Sequence, residues 1–358
     1  MKKKCILLAG GGTGGHTIPG ICLANELKKM YPDYEIIFFV PGKPIDKEIL
    51  SATSFPYFIN SMTSFPRSVF GMFKFPFRCI KSLHETRKLF KQYSIQIVIA
   101  LGGYASLSAG YFAAWKKIPV VSLESNKIAG KTIKMLAKIS QAVYTPWEVD
   151  GLNKNIIRPL GVPIRTDLPQ KHAKEYLNKT KLTILVMGGS LGSGCINTVV
   201  CKSLELLKQY ATQLEFIHLC GKNAETIQKI YDTVGIKGTV IAFEHNMPSL
   251  YEKADLVIAR AGGASLAEIR AMGMPSIIIP WKYAADQHQL HNALAMSEKN
   301  ASICYPEDLI DETILSQTLQ EFLKNPQKLY DLCKNASEIS QREAGYNIAC
   351  DIKNIIKE

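Results

Sequence analysis

Short apolar runs of four to eight residues, rich in β-branched side chains, recur along the chain and end at Gly or Pro. In the first half they are Cys5–Ala9, Glu35–Val40, Pro56–Ile59, Ile95–Leu101, Val120–Leu123 and Ala142–Thr145. In the second half they are Leu182–Met187, Glu215–Leu219, Thr239–Phe243, Leu256–Ala259 and Ser276–Pro280. Unbroken apolar runs suit parallel strands covered on both faces, where alternating runs would suit half-exposed ones. Stretches of helical period, such as Ile18–Met30, separate them. Strand–helix alternation of this kind predicts an α/β protein with doubly wound parallel sheets.

The pattern starts twice. Each half opens with a strand, a glycine loop and a helix, and Pro159, Pro163 and Pro169 interrupt the periodicity between the halves. This predicts two Rossmann-like domains, residues 1–162 and 163–339, facing across a cleft. A helix at 340–358 would pack back on the first. A length of 358 residues with 47% hydrophobic content is enough for two cores and excludes a disordered chain. The 22 residues Ser94–Trp115 carry no charge, which is the length of a membrane span. Gly102, Gly103, Gly110 and Gln96 favour a buried strand, a turn and a helix from about Ser106 instead. After Lys2, Lys3 and Lys4 only five apolar residues precede the glycines, too few for a signal peptide. The nine cysteines are scattered without a CxxC, which predicts reduced, mostly buried thiols in the cytosol and no zinc site.

Glycine clusters follow four of the strands. The first, Gly10-Gly11-Gly12-Thr13-Gly14-Gly15-His16, contains G-x-G-x-x-G. Such a loop can bring a diphosphate against backbone N–H groups at a helix N-terminus. A dinucleotide site also wants an acid at the end of the second strand, where this chain has Phe39-Val40-Pro41-Gly42. A tight turn with structural duties is the alternative. The other clusters are Gly102–Ser106, Gly188–Ser193 and Arg260–Ser265. Ligands of open α/β sheets bind beyond the carboxyl ends of the strands, so four in-phase loops point to a ligand cleft. Glu268, one helical turn past the last cluster, could accept the vicinal hydroxyls of a ribose. Gln289 and Asn292 share a helix face and could grip sugar hydroxyls.

Charge adds an anionic partner. The chain carries 43 Lys+Arg against 31 Asp+Glu, a net charge of +12. The excess is concentrated in Ser61–Gln92, where Arg67, Lys74, Arg78, Lys81, Arg87, Lys88 and Lys91 stand against Glu85 alone. Phe65, Phe70, Phe73, Phe75, Phe77 and Phe90 interleave with them. Rings among cations suit an anionic membrane surface, while a core helix with a solvated basic face is the alternative. No nucleic-acid-binding motif occurs, so nucleic acid is not an expected partner.

The motifs GGGTGGHTIPG, GGYAS, ESN before AG, GGSLGS and RAGGASLAEI…GMPSIIIPW…DQHQLHNA occur in this order. Together they resemble the MurG family of bacterial N-acetylglucosaminyltransferases, from about residue 5 to 300. The resemblance implies two Rossmann-like domains in the GT-B architecture and inverting transfer of N-acetylglucosamine. The donor would be UDP-N-acetylglucosamine and the acceptor muramoyl-pentapeptide on undecaprenyl diphosphate, at the cytoplasmic face of the plasma membrane. It implies donor contacts at Thr13, Gly14 and Gly15 of the first loop, at Asn126, and at Arg165. Ser190 would touch the diphosphate, and the backbone at Glu244 would read uracil. Gly263, Ala264, Ser265, Leu266, Ala267 and Glu268 would hold phosphates and ribose, with His288 and Gln289 near the sugar. The chain departs from the family at Leu123 and Ser125, where His and Gln are usual. It also departs at Leu191 and Ser193, where Gln and Ala are usual, and at His288, which replaces a Gln.

His16 closes the first loop, and an imidazole with an ordinary pKa of about 6.5 is suited to general-base duty at neutral pH. Glu124 is the next candidate. No Asp-x-Asp occurs, so transfer is expected to need no metal and no cofactor. Another GT-B enzyme on UDP-N-acetylglucosamine, such as a 2-epimerase, and a non-catalytic nucleotide-sugar-binding protein remain as alternatives.

Overall fold

The computed structural model describes all residues except Met1, Ser64, Phe65, Arg67, Ser68, Asp150, Ser190, Leu191 and Glu358. For Val69, Phe70, Gly71 and Lys357 only the backbone is described. The chain divides into two compact units, Met1–Arg165 with Gln341–Glu358, and Thr166–Ser340.

The first unit runs β1 (Lys4–Gly10), α1 (Gly14–Met30), β2 (Glu35–Val40), α2 (Pro44–Ser51), β3 (Tyr57–Ile59), α3 (Val69–Gln92), β4 (Ser94–Gly102), α4 (Ala105–Trp115), β5 (Val120–Leu123), α5 (Lys131–Leu136), β6 (Ala142–Tyr144) and β7 (Ile157–Arg158). The second runs β8 (Leu182–Met187), α6 (Gly194–Leu206), β9 (Leu214–Leu219), α7 (Ala224–Val234), β10 (Lys237–Ile241), α8 (Met247–Lys253), β11 (Leu256–Ala259), α9 (Gly263–Met272), β12 (Ser276–Ile278), α10 (His288–Ser297), β13 (Ile303–Cys304), α11 (Glu312–Lys324) and α12 (Gln327–Glu338). The last helix, α13 (Ala344–Lys357), returns to the first unit.

Both sheets are wholly parallel, as the unbroken apolar runs predict. The first has seven strands in the order β3-β2-β1-β4-β5-β6-β7, and the second six in the order β10-β9-β8-β11-β12-β13. The winding direction reverses between β1 and β4 and between β8 and β11. In open α/β sheets, ligands bind beyond the carboxyl ends of the strands at such a reversal. In the first unit Ile6 and Leu8 pack on one side of the sheet with Ile348, Ala349 and Ile352 of α13, all 0% exposed. Cys5, Leu7 and Ala9 pack on the other side with Leu89 of α3. Burying each large apolar side chain of α13 contributes about 1.5–3 kcal/mol, which holds the chain's end in place. Tyr144 Oη adds a 2.8 Å hydrogen bond to Asp351 of α13.

Some boundaries differ from the sequence pattern. The first helix starts at Gly14, a turn before Ile18, so Pro19 lies inside it. A missing proline N–H near a helix start removes a single hydrogen bond, which the remaining turns tolerate. β10 covers Lys237–Ile241 rather than Thr239–Phe243. Its register pairs Lys237 with Glu215, and Lys237 Nζ reaches that carboxylate at 2.8 Å. Gly238 permits this, since a β-carbon there would lie 2.4 Å from the Tyr231 ring. β7 and β13 are two-residue edge strands, too short to show as a pattern. The uncharged Ser94–Trp115 stretch is β4 and α4, as the glycines indicated. Among the described residues no helix is long and apolar enough to cross a membrane. The nine cysteines are all free thiols, but only Cys5, Cys220 and Cys333 are buried.

Candidate active site

In the first unit the site residues gather at the carboxyl ends of β1, β4 and β5. The ends of β1 and β4 approach closely because both are glycine. A β-carbon on Gly10 would lie 2.2 Å from the Gly102 carbonyl oxygen. Gly11 N donates to that same oxygen at 3.3 Å. His16 lies in the first turn of α1, its ring beside Gly102. Its Nδ1 is 3.2 Å from Thr13 Oγ1, a hydrogen bond whose donor depends on the ring tautomer. Burial pushes the His16 pKa below its ordinary value, and Lys43 acts in the same direction. The Glu124 and Asp46 carboxylates and the Gly11 carbonyl oppose this without overcoming it. The imidazole is therefore neutral at neutral pH, the state a general base requires.

Glu124 follows β5 and is buried. Its Oε1 accepts the Asn126 backbone N–H at 2.9 Å and Nδ2 at 2.8 Å, and its Oε2 accepts Gly130 N at 2.7 Å. Three donors thus hold Glu124, and it organises the Glu124–Gly130 turn that presents Asn126. Thr13 and Gly15 are exposed and Gly14 is partly so. Arg165, partly exposed, is the last residue of the first unit.

In the second unit the corresponding loops follow β8 and β11. Ser193 caps α6, its Oγ accepting Ile196 N at 3.3 Å. By contrast, no side chain caps the start of α9, whose N-cap is Gly262. The first N–H groups of a helix have no partner within it. Those of Gly263, Ala264 and Ser265, with the positive end of the helix dipole, make a ready anion site. Leu266 and Ala267 are buried beneath that turn. Glu268 is also mostly buried and accepts Tyr251 Oη at 3.2 Å. It is not the solvated helix face that a charged residue usually makes.

On α10, Gln289 Oε1 accepts Trp281 N at 2.9 Å, which turns its amide N–H groups to other partners. His288 donates from Nδ1 to the Ala285 carbonyl at 2.8 Å. Asn292 is buried and donates to the Ala261 carbonyl at 3.0 Å, so it braces the β11 loop. Glu244, past the end of β10, accepts Asn246 N at 2.8 Å. Ser190 lies outside the described residues, as do Arg67 and the Phe70 side chain.

Three residues outside the quoted motifs, and Arg260 at the head of one, shape these loops. Asp46 and Lys43 hold the first glycine loop, and Tyr251 orients Glu268. Arg260 donates to Ser193 Oγ at 2.7 Å, Glu307 at 2.8 Å and the Ile279 carbonyl at 3.0 Å, tying three loop segments together. The RAGG motif contains Arg260 but gives it no partner in the sequence. For Asp46 the available signal was the Lys-Pro-x-Asp start of α2.

The basic segment forms α3. Its inner face buries Ser82, Thr86 and Leu89, while Phe73 and Phe77 are each 74% exposed and Ile80 is 67% exposed. Phe75 is half-buried, and Arg78, Lys81 and Lys88 are exposed. The single acid, Glu85, turns toward Ser61 and accepts its N–H at 2.7 Å and its hydroxyl at 2.6 Å. The outer face is therefore apolar and cationic.

The sequence profile of the glycosyltransferase family 28 N-terminal domain matches residues 6–145, and that of the C-terminal domain matches residues 183–348. The UDP-N-acetylglucosamine--N-acetylmuramyl-(pentapeptide) pyrophosphoryl-undecaprenol N-acetylglucosamine transferase of Myxococcus xanthus is 31% identical over 349 residues, covering 96% of this chain and 91% of that one. The crystal structure of Acinetobacter baumannii MurG superposes with a TM-score of 0.79 at 23% identity, covering 98% of this chain and 99% of that one. The UDP-GlcNAc 2-epimerase from Neisseria meningitidis, bound to UDP-GlcNAc, superposes with a TM-score of 0.66 at 14% identity, covering 99% and 100%. The two structural likenesses establish the fold. With both units matched in order and near-full-length identity to a named transferase, the chain belongs to glycosyltransferase family 28.

Proposed function

We propose that this protein transfers N-acetylglucosamine from UDP-N-acetylglucosamine to the C4 hydroxyl of muramoyl-pentapeptide on undecaprenyl diphosphate, inverting the anomeric centre. The reaction would run at the cytoplasmic face of the bacterial plasma membrane, with the enzyme peripherally attached. The observation that carries the reading is the uncapped α9 N-terminus at the β8/β11 switch point, with Glu268 one turn beyond it. That pairing suits a nucleoside diphosphate. Backbone N–H groups meet the diphosphate, and a carboxylate meets the ribose hydroxyls.

In-line displacement of UDP needs two things. Negative charge grows on the departing diphosphate, and the α9 N–H groups stabilise it where it develops. The attacking hydroxyl must lose a proton, and His16, kept neutral by burial, takes it. Thr13, Gly14, Gly15, Asn126, Arg165, Ser190, Glu244, His288 and Gln289 complete the donor contacts in this reading. The departures from the family's usual residues at Leu123, Ser125, Leu191, Ser193 and His288 leave the α9 glycine turn, Glu268 and His16 unchanged.

The exposed rings and cations of α3 support a lipid-linked acceptor in an anionic membrane. A 2-epimerase or a soluble-acceptor transferase would have no use for that face. Following UDP release with and without the lipid-linked acceptor tests the reading. Acceptor-dependent release is expected. Epimer formation without acceptor, or binding without turnover, would replace it. His16→Ala should lower kcat by roughly 10²–10⁴-fold with little change in donor affinity.

A further inference from the structure

The first glycine loop is held by a carboxylate of its own chain. Asp46, on α2, is 0% exposed. Its Oδ1 accepts Gly12 N at 2.7 Å and Thr17 Oγ1 at 2.9 Å, and its Oδ2 accepts Lys43 N at 3.2 Å. Gly12 and Thr17 flank His16 on either side along the chain. Lys43 closes the arrangement from outside, its Nζ donating to the Gly12 carbonyl at 3.2 Å.

The glycines of the motif are spaced for this clamp. A β-carbon on Gly11 would lie 2.9 Å from Asp46 Oδ1, and one on Gly12 would lie 3.3 Å from Lys43 Nζ. The Gly12 N–H, which the motif alone would offer to a diphosphate, is already taken by Asp46.

We infer that Asp46 is a positioning residue for the transfer, fixing the Gly11–Thr17 segment so that the His16 ring is presented at the β1/β4 switch point. The inference rests on the reading of His16 as the base. All three groups facing Asp46 are donors, so a carboxylate satisfies them and an amide does not. Asn at this position would turn an NH2 group toward one of them. Misplacing a reacting group by about 1 Å can cost roughly 100-fold in rate.

The charged groups acting on His16 are Glu124, Asp46 and Lys43, together with the Gly11 carbonyl. Replacing the Asp46 carboxylate with an amide removes one negative charge from that set. It therefore favours the neutral ring and moves the acid limb of the kcat–pH profile to lower pH.

The test is a double-mutant cycle on the full-length enzyme with donor and lipid-linked acceptor. Asp46→Asn should lower kcat by roughly 10- to 100-fold, leave the donor KM within about twofold and shift the acid limb downward. In a His16→Ala background the same substitution should cost nothing further, because residues acting as one unit are not additive. An equal loss in both backgrounds would overturn the inference. So would an unchanged kcat and acid limb accompanied only by a lower melting temperature. If Asp46→Asn does not fold, Thr17→Val, which removes one arm of the clamp at nearly constant volume but leaves the carboxylate charge, is carried through the same cycle and judged on kcat alone: a loss that vanishes in the His16→Ala background is expected, and an equal loss in both backgrounds or an unchanged kcat overturns the inference. Near-normal kcat in His16→Ala alone removes the base assignment and the inference with it. A full loss there with an unaffected Asp46→Asn removes the inference alone.

Discussion

A β-carbon on Gly102 would lie 3.1 Å from Nε2 of His16, so the imidazole occupies space that any other residue at 102 would contest. Gly102 also has φ 93°, outside the range that side-chain-bearing residues adopt readily. Gly102→Ala should therefore cost about 1–3 kcal/mol of stability and displace the ring. We expect a lower melting temperature and a kcat loss of at least roughly tenfold with donor KM little changed. Steady-state kinetics below the transition temperature, beside a thermal melt, separate the two effects. An unchanged kcat would show that the ring's position there does not matter for turnover.

Tyr251 and Glu268 make a second pair. The tyrosine hydroxyl holds the carboxylate at 3.2 Å, and in the proposed reaction that carboxylate would receive the donor's ribose. Glu268→Gln should raise the donor KM by roughly tenfold or more, since hydrogen bonds to charged groups contribute about 1.5–3 kcal/mol. Tyr251→Phe should raise it by a smaller factor. Titration of UDP-N-acetylglucosamine at saturating acceptor measures both. A fall in kcat at constant KM would place Glu268 elsewhere in the reaction.

His218 on β9 gives stability a pH dependence. It is 0% exposed, its Nδ1 is 3.1 Å from Tyr231 Oη, and its Nε2 is 3.1 Å from Asn197 Oδ1. Asn197 Nδ2 donates to the Cys220 carbonyl at 2.9 Å, so its oxygen faces the ring and accepts from Nε2. Burial lowers the His218 pKa to about 4. The unfolded chain, near 6.5, thus binds the proton that the folded chain refuses. Stability is complete above the unfolded value and falls as pH drops from 6.5 toward 4. Urea unfolding should show about 2 kcal/mol less stability at pH 5 than at pH 7 from this residue. His218→Gln should remove that part of the difference.

The proposed membrane attachment through α3 would have two separable components. Phe73→Ser with Phe77→Ser removes exposed apolar area, whereas Lys81→Glu with Lys88→Glu reverses charge on the same helix. The second pair should weaken binding to anionic vesicles most at low salt, with near-surface cations each contributing about 1 kcal/mol. The first pair should weaken it at all salt concentrations. Vesicle sedimentation across ionic strength measures both. Binding unaffected by either pair would remove α3 as the docking face.

Turnover should persist in excess chelator. In the proposed reaction the N–H groups at the start of α9, which no side chain caps, would meet the diphosphate charge that a metal otherwise neutralises. UDP release measured with and without EDTA checks this. Abolition by EDTA with recovery on adding Mg²⁺ or Mn²⁺ would sink it.

Much of the fold was legible along the chain because both sheets are parallel and covered on each face. Leu7 and Leu8 point to opposite sides of the first sheet and both are buried, so the strand reads as one apolar run. The same local logic located the glycine loops at the strand ends and picked out Glu268 and the basic segment that forms α3, while the burial of Glu268 came from the structure alone. The family was legible too, because its motifs are contiguous stretches of sequence.

Pairing between distant residues was not legible. Asp46 lies 34 residues from Gly12, and Arg260 lies 67 from Ser193, and no local pattern marks a buried carboxylate or guanidinium as the partner of a particular loop. Tertiary structure also decided which group meets the first G-x-G-x-x-G. The sequence determined that the turn could form, since glycine admits the required backbone angles. Only the fold, by bringing α2 against the start of α1, determined that Asp46 fills it, because a hydrogen bond forms when groups meet in space, whatever their separation along the chain.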